Sequence, residues 1–403
     1  MRRLYLDNAA TSFPKPRAVT EAMTHFATRL GASPGRGAYA ESREAAELMW
    51  RCRERINTLI NGESPEHVVF TLNTSDALNL AIRGLLDGRP RAHVVTTHMD
   101  HNSVLRPFNA LMDDGAVEQT RVPVDPVTGV VDPQDIRRAI RSDTRLVAVV
   151  HASNVTGSLQ PIGAIGRVCR EAAVPLLVDA AQTIGHLPID VQRDCIDLLA
   201  FPGHKGLLGP LGTGGLYIRP GLERMLRPVR WGGTGSVSES DRQPETMPDR
   251  YEPGSHNAIG LIGLSEGVAW ILDRGIDTLW AHERELIRVF LNGLRQGDGT
   301  ALPGLRLLGP PSVEDRVGVF SVTLEGVAPD ALARRLEDEF GVLTRSGLHC
   351  APLAHATFGT TPDHVGNATA GATRFSVGPF VNVEQVRYAT DALAQVCHTL
   401  VGV

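Results

Sequence analysis

Six short runs of apolar and β-branched residues recur along the first half of the chain: HVVFT at 67–71, HVVTT at 93–97, RLVAVV at 145–150, PLLVD at 175–179, DLLAF at 197–201 and GGLYI at 214–218. Runs that stay apolar without alternation mark strands buried on both faces, which requires helices on both sides of the sheet. Helical patterns fill most of the gaps. TSDALNLAIRGLL follows the first run, and DPQDIRRAI carries Asp132 as N-cap with Pro133 at the first helical position. The alternation predicts an α/β fold with a mostly parallel central sheet. Upstream, Val19, Ala22, Met23, Phe26 and Leu30 fall at helical spacing, as do Ala45, Leu48, Met49, Cys52, Ile56 and Leu59. Two amphipathic helices follow, with Cys52 in the core.

A Gly- and Pro-rich stretch over 229–257 closes this region. Beyond it come two long helical patterns, strands near 304–308 and 317–323, a helix at 329–340 and a closing helix after Asn382, the layout of a smaller α+β unit. With 403 residues, two domains are expected. We expect a large domain over 16–257 and a small C-terminal domain over 258–403, with segment 1–15 packed on the small one.

Composition excludes several classes. The net charge of -5 comes from interspersed charges with no basic stripe, so nucleic acid is not an expected partner. No apolar run is long enough to cross a bilayer, and MRRLYLDNAATSFPKP lacks the apolar core of a signal peptide, so a cytoplasmic protein without membrane contact is expected. The five cysteines are widely spaced with no CxxC pair, which argues for reduced thiols rather than zinc or a disulfide framework. Cys350 stands apart: RSGLHCAP sets it between Gly and Pro beside His349, outside any apolar periodic segment, as an accessible thiol would be.

Ligands of parallel α/β sheets collect at the carboxyl ends of the strands. There the chain places Asn73-Thr74-Ser75, then His98 to His101, then His151, Ser153 and Asn154, then Asp179 with Gln182, then Pro202-Gly203-His204-Lys205. Each has a simpler use, since Thr74 and Ser75 can open a helix and a lone His or Asp can be a hydrogen-bonded structural group. Their convergence favours chemistry, and pyridoxal phosphate needs such a set: a helix N-terminus with hydroxyls for the phosphate, a carboxylate for the pyridine nitrogen and a lysine for the Schiff base. Thr74 and Ser75, Asp179 and Lys205 fit those roles. His101 can cover the ring, and Gln182 and Asn154 can bond its hydroxyl. A metal hydrolase built on His98 and His101 is disfavoured because their HxxH spacing lacks the HExxH pattern, so no metal is expected.

The motifs YLDNAATSFPKP, SPGRGAY, TLNTSDALNLA, HMDHNSV, HASNVTGSLQPI, VDAAQTIGHLPIDV, GHKGLLGPLGTGGLYI, YEPGSHNAIGL and RSGLHCAPLAH occur in that order over nearly the whole chain. Together they resemble the class V aminotransferase family, in its cysteine desulfurase and selenocysteine lyase branch. The resemblance implies a fold type I pyridoxal-phosphate enzyme and a homodimer with active sites at the subunit interface. It implies Lys205 as the Schiff-base lysine, Asp179 as the pyridine-nitrogen partner and His101 as the stacking ring. Gln182 and Asn154 are implied on the ring-hydroxyl side, and Thr74, Ser75 and His204 at the phosphate. Ser255 matches a position that reaches the phosphate from the other subunit, and Arg374 one that grips the substrate carboxylate.

In this branch the cysteine of an RxGxxC segment is the nucleophile. Cys350 is therefore implied to take sulfur from L-cysteine as a persulfide, releasing L-alanine, with a sulfur-acceptor protein as possible partner. Arg345 or His349 would supply positive charge to its thiolate, and Arg345 is a further candidate for substrate contact. A lyase acting on selenocysteine or an S-substituted cysteine is the alternative. A pyridoxal-phosphate scaffold is disfavoured by the presence of Lys205, Asp179 and Arg374. Three departures from the family pattern stand out: Pro202 where a hydroxyl residue is usual, Leu348 where some relatives have a second histidine, and a longer FGTTPDHVGNATAGATRFS stretch before Arg374.

Overall fold

The computed structural model describes residues 3–35, 37–88, 91–362 and 370–401. After β1 (Leu4–Tyr5), α1 (Arg17–His25) and α2 (Ala40–Leu59), strands and helices alternate. The series is β2 (Val68–Thr71), α3 (Thr74–Leu86), β3 (Ala92–Thr97), α4 (Asn102–Asp113), β4 (Val117–Val122), α5 (Pro133–Ala139) and β5 (Thr144–Val150). It continues through α6 (Ile162–Glu171), β6 (Leu176–Asp179), β7 (Leu198–Pro202) and β8 (Gly214–Ile218). These strands form a seven-stranded sheet in the order β2-β8-β7-β6-β5-β3-β4. It is parallel from β7 to β4, while β8 runs antiparallel to both of its neighbours.

All six apolar runs lie in this sheet. Because successive side chains point to opposite faces, Val147, Val149 and Val178 pack with Ile56 and Ile165 on one side, while Leu146, Ala148 and Leu177 pack with Leu78 and Phe108 on the other. Cys52 lies in the first of these cores, as its spacing implies. The seventh strand, β4, has no such run. Its sequence is VEQTRV, it pairs only with β3 at the sheet edge, and its central residues stay partly or fully exposed. The helical spacing upstream holds through Phe26, but the last turn, Phe26–Leu30, widens into a π-helix that ends on Gly31 at φ 57°.

The second half contains α7 (Ala258–Arg274), α8 (Ile276–Gly293), β9 (Leu305–Leu308), β10 (Val319–Leu324), α9 (Pro329–Phe340), β11 (Val342–Leu343), β12 (Arg345–Gly347), α10 (Pro352–Thr357), β13 (Ala372–Ser376) and α11 (Val383–Val401). An antiparallel sheet of order β12-β13-β10-β9 has its own core around Phe290, Phe320 and Phe375. Leu261, Leu264, Val268 and Ile271 of α7 instead join the core of the large sheet. We propose that the two domains divide near Gly275, after α7, and not at 257/258.

The first residues form a strap between the two halves. Leu4 and Tyr5 pair in parallel with Val342 and Leu343, and Ala9 N donates to Ser376 Oγ at 2.8 Å. Further on, Ser12 Oγ donates to the Lys205 carbonyl at 2.8 Å. The strap therefore touches both sheets' neighbourhoods, beyond the small-domain packing expected of it.

Candidate active site

A cavity of about 140 Å³ opens at the carboxyl ends of β5, β6 and β7. Thr74, Ser75, His101, Asn154, Asp179, Gln182, His204 and Lys205 all line it, so residues far apart in the sequence meet on one wall system. Asn73, rather than Thr74 or Ser75, caps α3: its Oδ1 accepts from Asp76 N at 3.0 Å. That cap leaves the hydroxyls of Thr74 and Ser75 at the start of the helix, where unpaired backbone N–H groups favour an anion.

Asp100 fixes the exit of β3. It is fully buried and accepts from Thr97 N at 2.6 Å, Thr97 Oγ1 at 2.9 Å and Val150 N at 2.7 Å. Next to it His101 caps α4, with Nδ1 accepting from Ser103 N at 3.1 Å, which leaves its proton on Nε2. Burial, then the charge of Lys205, holds His101 down at about 4, so it is a neutral ring at physiological pH.

Asp179 ends β6 and accepts from Ala181 N at 3.0 Å. Burial pushes its carboxyl up to about 6 and pushes the Lys205 amine down to about 8, with the Asp179 charge opposing the second shift. Gln182 Nε2 donates to the Ala9 carbonyl at 3.1 Å. Burial also keeps His204 neutral, at about 4. Among the described residues, two that line the cavity have a buried polar atom without a partner, His204 at Nδ1 and Asn154 at Oδ1. Buried polar groups are ordinarily paired, so these mark a place for a polar ligand. With the helix start, the carboxyl and the amine, they make a donor set that fits pyridoxal phosphate.

Arg374 and Arg345 lie outside the cavity wall. They face each other across the β12–β13 pairing. Arg374 is buried, with Nη1 donating to the Asn154 carbonyl at 3.1 Å and Nη2 bound to Asp7 Oδ1 at 2.8 Å. Ser255 lies in a separate depression with Arg230, Glu252 and His256.

Cys350 is exposed. It follows His349 in a turn where both residues are left-handed, at φ 59° and 50°, a conformation uncommon outside glycine. Three contacts hold the turn: Asn154 Nδ2 donates to the His349 carbonyl at 2.6 Å, Asn102 N donates to the Cys350 carbonyl at 2.9 Å, and His349 Nε2 donates to the Ala372 carbonyl at 3.2 Å. The expectation that His349 lends positive charge to the thiolate does not hold. Burial, then the charges of Arg374 and His355, pushes it down to about 2, and it stays neutral. Arg345 is exposed at the start of β12. Of the other departures, Pro202 ends β7 opposite Gly214, Leu348 is half-buried, and positions 363–369 of the longer stretch lie outside the described residues.

The sequence pointed to the Asn73-Thr74-Ser75 exit without assigning the cap to Asn73, and it gave no role to Asp7 or to the strap contacts of Ala9, Ser12 and Lys15. The capping pattern of Asn73 was legible, with Asp76 three residues on; the strap contacts join residues far apart in the chain and leave no local signal.

The Aminotransferase class-V family model matches residues 4–388. The chain belongs to this family. Among class-V relatives, probable cysteine desulfurases from Methanothermobacter thermautotrophicus and Aeropyrum pernix are 33% and 35% identical to it, each alignment covering 98% of this chain and 94% and 95% of theirs. A solved structure of the apo cysteine desulfurase from Thermococcus onnurineus superposes with a TM-score of 0.89 at 30% identity, covering 98% of this chain and 95% of that one. The class-V family implies pyridoxal phosphate as cofactor, in accord with the donor set of the cavity. No described helix is long and apolar enough to cross a membrane.

Proposed function

We propose that this protein is a pyridoxal-phosphate-dependent cysteine desulfurase that converts L-cysteine to L-alanine and holds the sulfur as a persulfide on Cys350. The observation that carries the reading is the buried Lys205 amine sharing a cavity with buried Asp179, while Asn154 joins that cavity to the Cys350 turn.

Bound pyridoxal phosphate supplies an electron sink for the charge left when the substrate Cα loses its proton. Lys205 Nζ, its basicity lowered by burial, would hold the cofactor at rest and, once the substrate amine has taken its place, would be the base that takes that proton. Asp179 would hold the proton at the pyridine nitrogen, neutral His101 would cover the ring face, and Thr74, Ser75 and His204 would receive the phosphate. Arg374 orients the substrate carboxylate. Cys350 Sγ then attacks the substrate sulfur: the S–S bond forms as the Cβ–S bond breaks, and the electron pair of the broken bond stays with the three-carbon fragment. That fragment takes up two protons, the one the Cys350 thiol gave up at Cβ and the one Lys205 returns at Cα, and leaves as alanine. No outside oxidant or reductant is needed.

Ser255 stands apart from the cavity of its own chain, which is what a residue serving a second copy requires and supports a homodimer with shared sites. The exposure of Cys350 suits transfer of the sulfur to an acceptor protein.

The test is mass spectrometry after brief exposure to L-cysteine. One added sulfur should map to Cys350, and none to Cys52, Cys169 or Cys397, whose thiols burial holds up at about 12, 12 and 11. Alanine release with Cys350 unmodified would overturn the assignment.

A further inference from the structure

Among the described residues, the His204 end of the cavity has no cation on its wall other than Lys205. Its candidate phosphate contacts, Thr74, Ser75 and His204, are all neutral, and Pro202 contributes neither a side-chain donor nor an N–H. The one lining ammonium, Lys205, is committed to the cofactor's ring end and to Asp179. A phosphate dianion placed among neutral donors in a partly buried site is poorly balanced.

Directly behind this wall lies a cation without an assigned use. Lys15 Nζ donates to the His204 carbonyl at 2.8 Å and to Ser12 Oγ at 2.7 Å. Among the described residues no carboxylate pairs with it, although it is largely desolvated. As a hydrogen bond its contact with His204 is redundant. The same carbonyl already accepts from Ser12 N, Thr11 Oγ1 and Ser12 Oγ, each at 3.1 Å. What Lys15 adds that the other donors do not is charge, which acts on the His204 ring after burial and the charge of Lys205.

We propose that Lys15 is a positioning residue whose ammonium, held behind His204 by the strap, balances the phosphate of the cofactor through space. This rests on the reading of the cavity as a pyridoxal-phosphate site. Lys15 gives the ligand's phosphate end a counter-charge without touching it, and so favours the phosphorylated cofactor over the free alcohol.

The experiment measures equilibrium binding of pyridoxal phosphate and of pyridoxal to the full chain freed of cofactor. Wild-type protein should prefer the phosphorylated form strongly. Lys15→Gln keeps a donor for His204 and removes the charge; it should weaken pyridoxal phosphate about tenfold and leave pyridoxal nearly unchanged, while Lys15→Arg should retain the wild-type preference. Lys15→Met serves as a second neutral variant should Lys15→Gln fold poorly. Equal weakening of both ligands, or an unchanged preference in the neutral variants, would overturn the inference while leaving the cavity assignment intact. A wild-type protein with no preference would overturn both.

Discussion

Asp7 Oδ1 and Arg374 Nη2 lie 2.8 Å apart although 367 residues separate them in the chain. The pair ties the strap to β13. It also leaves Arg374 Nε buried without a partner, beside the Asn154 carbonyl that takes Nη1. A guanidinium fixed on two sides in this way presents its remaining donors in a set plane. Arg374→Lys, which offers a point charge without the fork, should raise the KM for cysteine about tenfold or more with bound cofactor retained. Saturation kinetics beside cofactor absorbance would show it, and an unchanged KM would remove Arg374 from the substrate clamp.

Asp7→Asn tests the same pair from its other side. It leaves a buried arginine without a carboxylate, and loss of about 3 kcal/mol in denaturant unfolding is expected. Destabilisation below ~1 kcal/mol would mean the charge is balanced elsewhere.

Cys350→Ala should still bind cofactor, because Lys205 and Asp179 are untouched. Alanine formation from cysteine should fall about a hundredfold or more. Selenocysteine should suffer much less, since selenium is the better leaving group and departs without a protein thiol. Equal losses on both substrates would point to a structural role for the turn.

Acid should destabilise the cofactor-free chain. His101, His151, His204 and His355 are held at about 4, and His349 at about 2, with burial the main cause in each case. Unfolded, each would protonate near 6.5. Below that pH the unfolded chain binds protons the fold does not, so stability present above 6.5 is lost as pH falls toward 4. Asp100 and Asp179, raised to about 7 and 6, act in the opposite direction but are fewer. The urea midpoint should drop from pH 7 to pH 5, and His355→Gln should flatten the slope.

Gly185 and Gly206 meet behind Lys205. A Cβ on Gly206 would sit 2.2 Å from the Ile184 carbonyl, and one on Gly185, at φ 79°, would sit 2.4 Å from the Gly206 carbonyl. Both contacts are with backbone, which cannot swing aside. Gly206→Ala should lower stability by about 2 kcal/mol or more and reduce cofactor occupancy, read by thermal unfolding and absorbance.

The sequence revealed what depended on neighbours in the chain. Strands such as 145–150 and 175–179 were legible because both of their faces are buried, and Asp179 and Lys205 because they stand at strand exits. β4 was not legible, since an edge strand with one pairing partner tolerates Glu118, Gln119 and Arg121. The neutrality of His349 was invisible for another reason: burial is created by α10 and β13 folding over it, while the residue beside Cys350 reads locally as a plausible cation. Likewise Asp7 and Lys15 carried no local mark, because their partners lie in β13 and after β7.

The pairing of Leu4 with Val342 fixes an order of events during synthesis. The strap is synthesised long before its strand partner at Val342. Until β11 and β13 are made, Asp7 has no arginine and the strap has nothing to seal against, even if the large sheet has already formed. A nascent chain stalled before residue 340 would lack both Cys350 and Arg374, so neither substrate grip nor persulfide formation can precede synthesis of those two residues.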